Sequence, residues 1–252
     1  MRANLGVALS ASITLAILYG VLQSWGDLLV PISDVTFVLV SGMCSVFAFL
    51  AVRKWGFGGR FGLVYGSLFF GVFLWFFGEL IWGIYELVYQ ISIPYPSLAD
   101  LFYLAGYIPA ILGVSQFLWA FKKGLTGMKL SLAGISGLLI IGLTYVFLLN
   151  PLVTVQSETL AKMFDVAYPS LDALLLILTI AMLLLFEGGA MAEGWLWISL
   201  GLLLTTVADI AFSFGTIEDW YYSGHPIELA WLWGYVALAL GFDDQRKRLS
   251  PE

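Results

Sequence analysis

The sequence predicts an all-α polytopic membrane protein, with eight transmembrane helices arranged as two parallel four-helix repeats. Three observations carry that expectation. Of 252 residues, 61% are hydrophobic and only 11% are charged, against roughly 25% charged in a soluble domain. Eight apolar runs approach the length of about 20 residues that a helix needs to cross the hydrocarbon core. Motifs in the second half repeat those of the first. The composition excludes a water-soluble enzyme, a disordered chain and a collagen-like one. Cys44 and His225 are the only residues of their types, which excludes an intrachain disulfide, bis-histidine haem and multi-histidine zinc sites. No lysine lies within an apolar run to anchor a retinal Schiff base. The net charge of −6 argues against a nucleic-acid partner. No cofactor is indicated.

The runs are 5–25, 34–52, 61–88, 98–121, 130–149, 168–186, 194–214 and 226–242. The first follows Arg2. It is too long for a signal-peptide core and no A-x-A site follows, so it is expected to stay as a span. The second opens at Asp34 and stops before Arg53-Lys54. The third, 28 residues long, must tilt or project beyond the bilayer. The fourth opens after Pro96 with Ser97-x-x-Asp100, a capping-box pattern, and stops at Lys122-Lys123. The fifth follows Lys129. The sixth opens at Tyr168-Pro169, and the seventh runs through Asp209. The eighth opens at Pro226 and stops before Asp243. Pro96, Pro169 and Pro226 are expected at helix starts, where a missing N–H costs nothing. Gly66, Gly71, Gly78, Gly106 and Gly234 are expected to let backbones approach closely.

Ten of the eleven Lys and Arg residues fall on one face of an eight-span topology, and only Lys162 falls on the other. By the positive-inside rule that face is cytoplasmic. A multi-pass cell-membrane protein with both termini in the cytoplasm is expected. Twelve acids accompany Lys162 on the outer side, while Glu187, Glu193, Asp243, Asp244 and Glu252 lie with the bases. Orientation accounts for the bases but does not require so many outer acids.

Self-comparison aligns Asp100, Tyr103, Gly106 and Tyr107 with Glu228, Trp231, Gly234 and Tyr235 at identical offsets. Glu79 stands 17 residues before Pro96, as Asp209 stands 17 before Pro226. Pro31-Ile-Ser-Asp34 matches Pro169-Ser-Leu-Asp172 loosely. Repeat one is expected at 1–124 and repeat two at 125–252. An even number of spans separates them, so their pseudo-twofold axis lies along the membrane normal.

Asp34, Asp100, Asp172 and Glu228 are each expected in the first turn of an even-numbered helix. Two roles fit: capping of orphan backbone N–H groups, or rimming a shared outer cavity. Glu79 and Asp209 lie inside apolar runs, where a carboxylate costs several kcal/mol unless it is paired, hydrated or protonated, and where function is the default hypothesis. Glu86 lies seven residues beyond Glu79 and is expected on the same helical stripe, with Trp82 between them. Tyr85, Tyr89, Tyr95, Tyr103, Tyr107, Tyr168, Trp220, Tyr221, Tyr222, Trp231 and Tyr235 crowd the outer half. They fit an interfacial belt or, for Tyr103 and Trp231 especially, a cage for an organic cation. The candidate ligand-binding set is therefore Glu79, Asp209, Glu86, Asp100, Glu228, Asp34, Asp172, Tyr103 and Trp231, with no catalytic residue assigned and the metal left open.

The pattern P-S-x-A-D-x-F-Y-L-x-x-Y at Pro96–Tyr107, Tyr168-Pro-Ser-Leu-Asp172 before a leucine run, and Asp209 with the later acid-x-x-Trp-x-x-Gly-Tyr resemble the multi-span sensory region at the N-terminus of some bacterial diguanylate cyclases and histidine kinases. The resemblance implies a stand-alone membrane module that senses a ligand and passes its output to a separate signalling partner. It carries over no catalytic residue. Three function classes follow from the sequence. One is a ligand-binding or sensory module for a cation or small cationic ligand. The second is a cation- or proton-coupled transporter rocking about Glu79 and Asp209. The third is an intramembrane enzyme, disfavoured because the G-x-G-D signature of intramembrane aspartyl proteases is absent.

Overall fold

The computed structural model describes residues 2–154, 158–185 and 192–248. The predicted end of the sixth run at 186, and Glu187 and Glu252 of the charge distribution, lie outside them. Among the described residues there is no strand, and eight long helices account for nearly all of the chain. They are α1 (Arg2–Leu22), α2 (Gly26–Trp55), α3 (Gly59–Gly83, continued by a wider π-helical turn Ile84–Val88), α4 (Leu98–Ala120), α5 (Gly127–Thr144, continued by a π-helical turn Tyr145–Leu149 and Asn150–Thr154), α6 (Thr159–Leu183), α7 (Ala192–Ile217) and α8 (Glu228–Arg248). The first seven are long and apolar enough to cross a membrane. The eighth is apolar from Leu229 to Phe242 but carries charges at both ends.

The distribution of side chains is that of a protein dissolved in lipid. Leu138 is 75% exposed, Met128 72% and Leu39 66%, while Asp172, Thr179, Ser199 and Thr206 are wholly buried. A soluble fold places these classes the other way round. With no water in the hydrocarbon layer, polar side chains are driven toward one another inside the bundle. The chain is a multi-pass, all-α membrane protein.

Six helices form a closed ring: α2 packs on α3, α3 on α4, α4 on α6, α6 on α7, α7 on α8, and α8 back on α2. α1 lies outside against α8 and α2, and α5 lies outside against α6. The α3–α4 and α7–α8 seams are built alike. A Cβ on Gly106 would lie 3.0 Å from the Gly71 carbonyl oxygen, and one on Gly234 would lie 3.1 Å from the Gly201 carbonyl oxygen. Only glycine allows the backbones to come this close. Where the ring carries its basic residues, its centre is filled by aromatic rings. Tyr65 and Trp195 stack at 5.1 Å, Phe117 meets Trp195 at 4.3 Å, and Tyr65 Oη donates to Gln245 Oε1 at 2.8 Å.

Two expectations need correction. α2 begins at Gly26 and α6 at Thr159, so Pro31 and Pro169 lie inside helices and not at their starts. Asp34 and Asp172 are therefore mid-helix groups with no free N-terminal N–H to cap. The apolar runs hid this because Asp27, Lys162 and Asp165 interrupt the hydropathy without interrupting the helix. α8 likewise runs past 242 to Arg248, where Asp243 pairs with Arg246 and Lys247 one turn further on and supports the helix.

Candidate functional site

The end of the ring remote from the basic residues is hollow. A cavity of about 650 Å³ opens there, lined from α2, α3, α4, α6, α7 and α8 and from the segments before α4 and α8. This volume suits a small organic molecule. Seven of its lining residues are acids, Asp34, Glu79, Asp100, Asp165, Asp172, Asp209 and Glu228, and none is Lys, Arg or His.

Glu79 and Asp209 are each held by side chains of neighbouring helices. Glu79 of α3 accepts from Tyr103 of α4 at Oε2 and from Tyr235 of α8 at Oε1, both at 2.9 Å. Asp209 of α7 accepts from Tyr107 of α4 at Oδ2, 3.0 Å, and from the Trp231 indole of α8 at Oδ1, 2.7 Å. α4 and α8 thus each reach both acids, with donors one turn apart, and the two sites have the same plan. A helix places residues i and i+4 on one face, and that spacing separates Tyr103 from Tyr107 and Trp231 from Tyr235. Hydroxyl and indole donors aimed at a carboxylate stabilise its charge without neutralising it.

The remaining acids surround these two. Tyr107 Oη also bonds Asp172, and the Asp172 and Asp209 carboxyls touch. Asp34 lies against Glu86, and Asp34 Oδ2 and Glu86 Oε2 are both buried without a hydrogen-bond donor. Glu228 accepts from Ser33 and the Gly224 N–H at 2.6 Å each, and from Tyr19 and Tyr221 at 2.9 Å each. Asp100 accepts from the Ser97 N–H at 2.6 Å, closing the expected capping box, and from Tyr168 at 2.9 Å. Capping and cavity-lining therefore coexist at Asp100, whereas the N–H that Glu228 holds belongs to Gly224 in the segment before α8.

Eight of the nine candidate residues line the cavity: Asp34, Glu79, Asp100, Tyr103, Asp172, Asp209, Glu228 and Trp231. Glu86 does not. It lies in the π-helical turn, whose wider pitch departs from the 3.6-residue stripe that would carry it below Trp82, and it accepts from Ser223 at 2.9 Å. The belt reading of the aromatics needs correction as well. Tyr95, Tyr103, Tyr107, Tyr168, Tyr221, Tyr222, Trp231 and Tyr235 line the cavity, leaving Tyr85, Tyr89 and Trp220 outside it. Asp165, Ser33 and Tyr19 were not among the candidates. Asp165 accepts from Tyr95 at 2.6 Å, and Tyr19 is the one tyrosine of α1, near its end, a signal that could have marked it. Among the described residues no group of three or more His, Cys, Asp or Glu could hold a metal ion. In the loop before α8, burial holds His225 below its ordinary pKa, and its Nδ1 accepts from the Ile227 N–H at 3.1 Å.

Comparisons of the chain with known protein families, with curated proteins and with solved structures find no match.

Proposed function

We propose that the protein is a membrane-embedded binding module whose outward-facing cavity takes up a cation or small cationic ligand. One observation carries this reading: a 650 Å³ cavity with seven acidic side chains and no basic one in its lining. Low-dielectric walls focus such a field and concentrate cations in the cavity. Aromatic faces add attraction for a desolvated cation. The dispersed acids favour an organic cation over a metal ion, which wants several ligands at one point. A sensory role with a separate signalling partner rests on the resemblance of Pro96–Tyr107 and its companion motifs to bacterial sensory regions.

The finer architecture belongs to the same proposal. Eight spans follow if α8 crosses with the others, and the nine buried positions from Leu232 to Phe242 support that. Duplication of α1–α4 as α5–α8 is supported by the matched Gly71/Gly106 and Gly201/Gly234 seams and by the matched donors on Glu79 and Asp209. The contact of Tyr65 with Trp195 fits a twofold axis between them. With the basic end in the cytoplasm, both termini are cytoplasmic and the cavity faces outward. Reporter fusions after Lys123 and after Arg248 should then both report a cytoplasmic location.

A transporter is the second reading, supported by the position of Glu79 and Asp209 where α4 and α8 bridge the two halves. Purified protein in liposomes separates the two. Binding of organic amines measured by calorimetry, without uptake under imposed cation and pH gradients, fits the sensor. Uptake fits the transporter. Absence of any cation response that Glu79→Gln or Asp209→Asn abolishes would remove both.

A further inference from the structure

Taking the cation-binding reading as its basis, we infer that the ligand class is a linear aliphatic polyamine, an α,ω-diamine or longer, bound with its ammonium groups at separate acids. The first reason is the dispersal of the acids. Within one cavity they form distinct stations: Glu79 between Tyr103 and Tyr235, Asp209 with Asp172 beside Tyr107, Glu228 with Ser33 and Tyr19, and Asp100 with Tyr168. No three acids converge among the described residues, so a compact multivalent ion cannot meet them together. A chain with charges at intervals can.

The second reason is the surface between the stations. Phe37, Trp75, Trp82, Phe212 and Trp231 line the same cavity. They offer ring faces and edges but no charge, which suits methylene segments and the flanks of ammonium groups. The third reason is valence. A single monoamine would leave most of the seven lining acids without a counter-charge, whereas a polyamine, whose aliphatic amines have pKa values near that of lysine, carries several charges at neutral pH. Buried carboxylate oxygens without a donor are already present, in carboxyls that otherwise touch Glu86 and Asp209. Asp34 Oδ2 and Asp172 Oδ2 lack any hydrogen-bond donor, and their residues are 6% and 0% exposed. Both residues line the cavity, one from each half of the chain.

Calorimetry on the purified full-length protein tests the inference with probes of stated charge and length. The series is propylamine, 1,3-diaminopropane, putrescine, cadaverine and spermidine, with tetramethylammonium and Mg²⁺ as compact controls. At least a tenfold preference for one diamine or for spermidine over propylamine, tetramethylammonium and Mg²⁺, with an optimum in chain length, is expected. Asp172→Asn and Asp34→Asn should each reduce that preference toward the monoamine value. Because the chain-length series is run on the unaltered protein, a variant that fails to fold does not decide the outcome. Equal binding of propylamine or tetramethylammonium would overturn the polyamine assignment and leave the cation cavity standing. A preference for Mg²⁺ would do the same. No response to any of the seven would overturn both.

Discussion

The two ends of the six-helix ring are made by the same helices and behave as opposites. At the acidic end the helices stand around a cavity of about 650 Å³. At the basic end, roughly 15 Å further along α3 from Trp75, the rings of Tyr65 and Trp195 stack at 5.1 Å within the buried core. The difference lies in what stands at the centre. Tyr103, Tyr107, Trp231 and Tyr235 reach sideways to carboxylates and so stay against the walls. Tyr65, Phe117, Trp195 and Phe242 are buried at the opposite end, with Tyr65, Phe117 and Trp195 in ring contact. Hydrogen bonds tie the rings to wall acids at one end, and ring stacking fills the other.

The largest effect should come from breaking the closed end. Trp195→Ala removes a ring that is 2% exposed, and should cost about 3–5 kcal/mol of stability. Thermal unfolding in detergent would report it as a large fall in Tm. At the open end Glu79→Gln should instead spare the fold and lower affinity for an organic cation by about a hundredfold, or about 2.7 kcal/mol, read by calorimetry. An equal fall in Tm for both variants would erase the distinction between the ends. Acidification is expected to act next. Protons compete with the cation for the carboxylates, so affinity should fall by about tenfold from pH 7.5 to pH 5, and the dependence should flatten in Asp209→Asn. Tyr103→Phe keeps the ring but removes one donor to Glu79. It should weaken binding by about 1 kcal/mol, a few-fold in Kd. Glu158→Gln, outside the cavity lining, should change stability and binding by less than about 0.5 kcal/mol.

The sequence made the membrane class legible because 11% charge leaves no soluble alternative. It made much of the cavity legible because acids in apolar runs are costly enough to require a reason. Helix starts were less legible. Hydropathy reads the lipid-facing boundary, whereas α2 and α6 extend beyond their apolar runs, to Gly26 and Thr159. That extension moved Asp34 and Asp172 from helix ends to the cavity wall. Glu86 escaped the wall because a π-helical turn changes the angular count, and nothing in Ile84–Val88 marks such a turn. The aromatics could be counted but not aimed: a tyrosine near a membrane surface suits headgroups and buried carboxylates equally well until its neighbours are known.

α8 is a single unbroken helix of 21 residues, about 31 Å long. It carries Glu228, Trp231 and Tyr235 at the cavity, and Lys247 in its last turn. Near that turn the Arg246 carbonyl accepts from Lys54 of α2 at 2.6 Å. A stiff rod of this length cannot turn at one end and stay still at the other. If a bound cation shifts α8, occupancy of the cavity and engagement of the far end become linked functions of one coordinate. Linkage is reciprocal: a partner that grips the basic end and favours one setting of α8 must change affinity for the cation by the same factor by which the cation changes affinity for the partner.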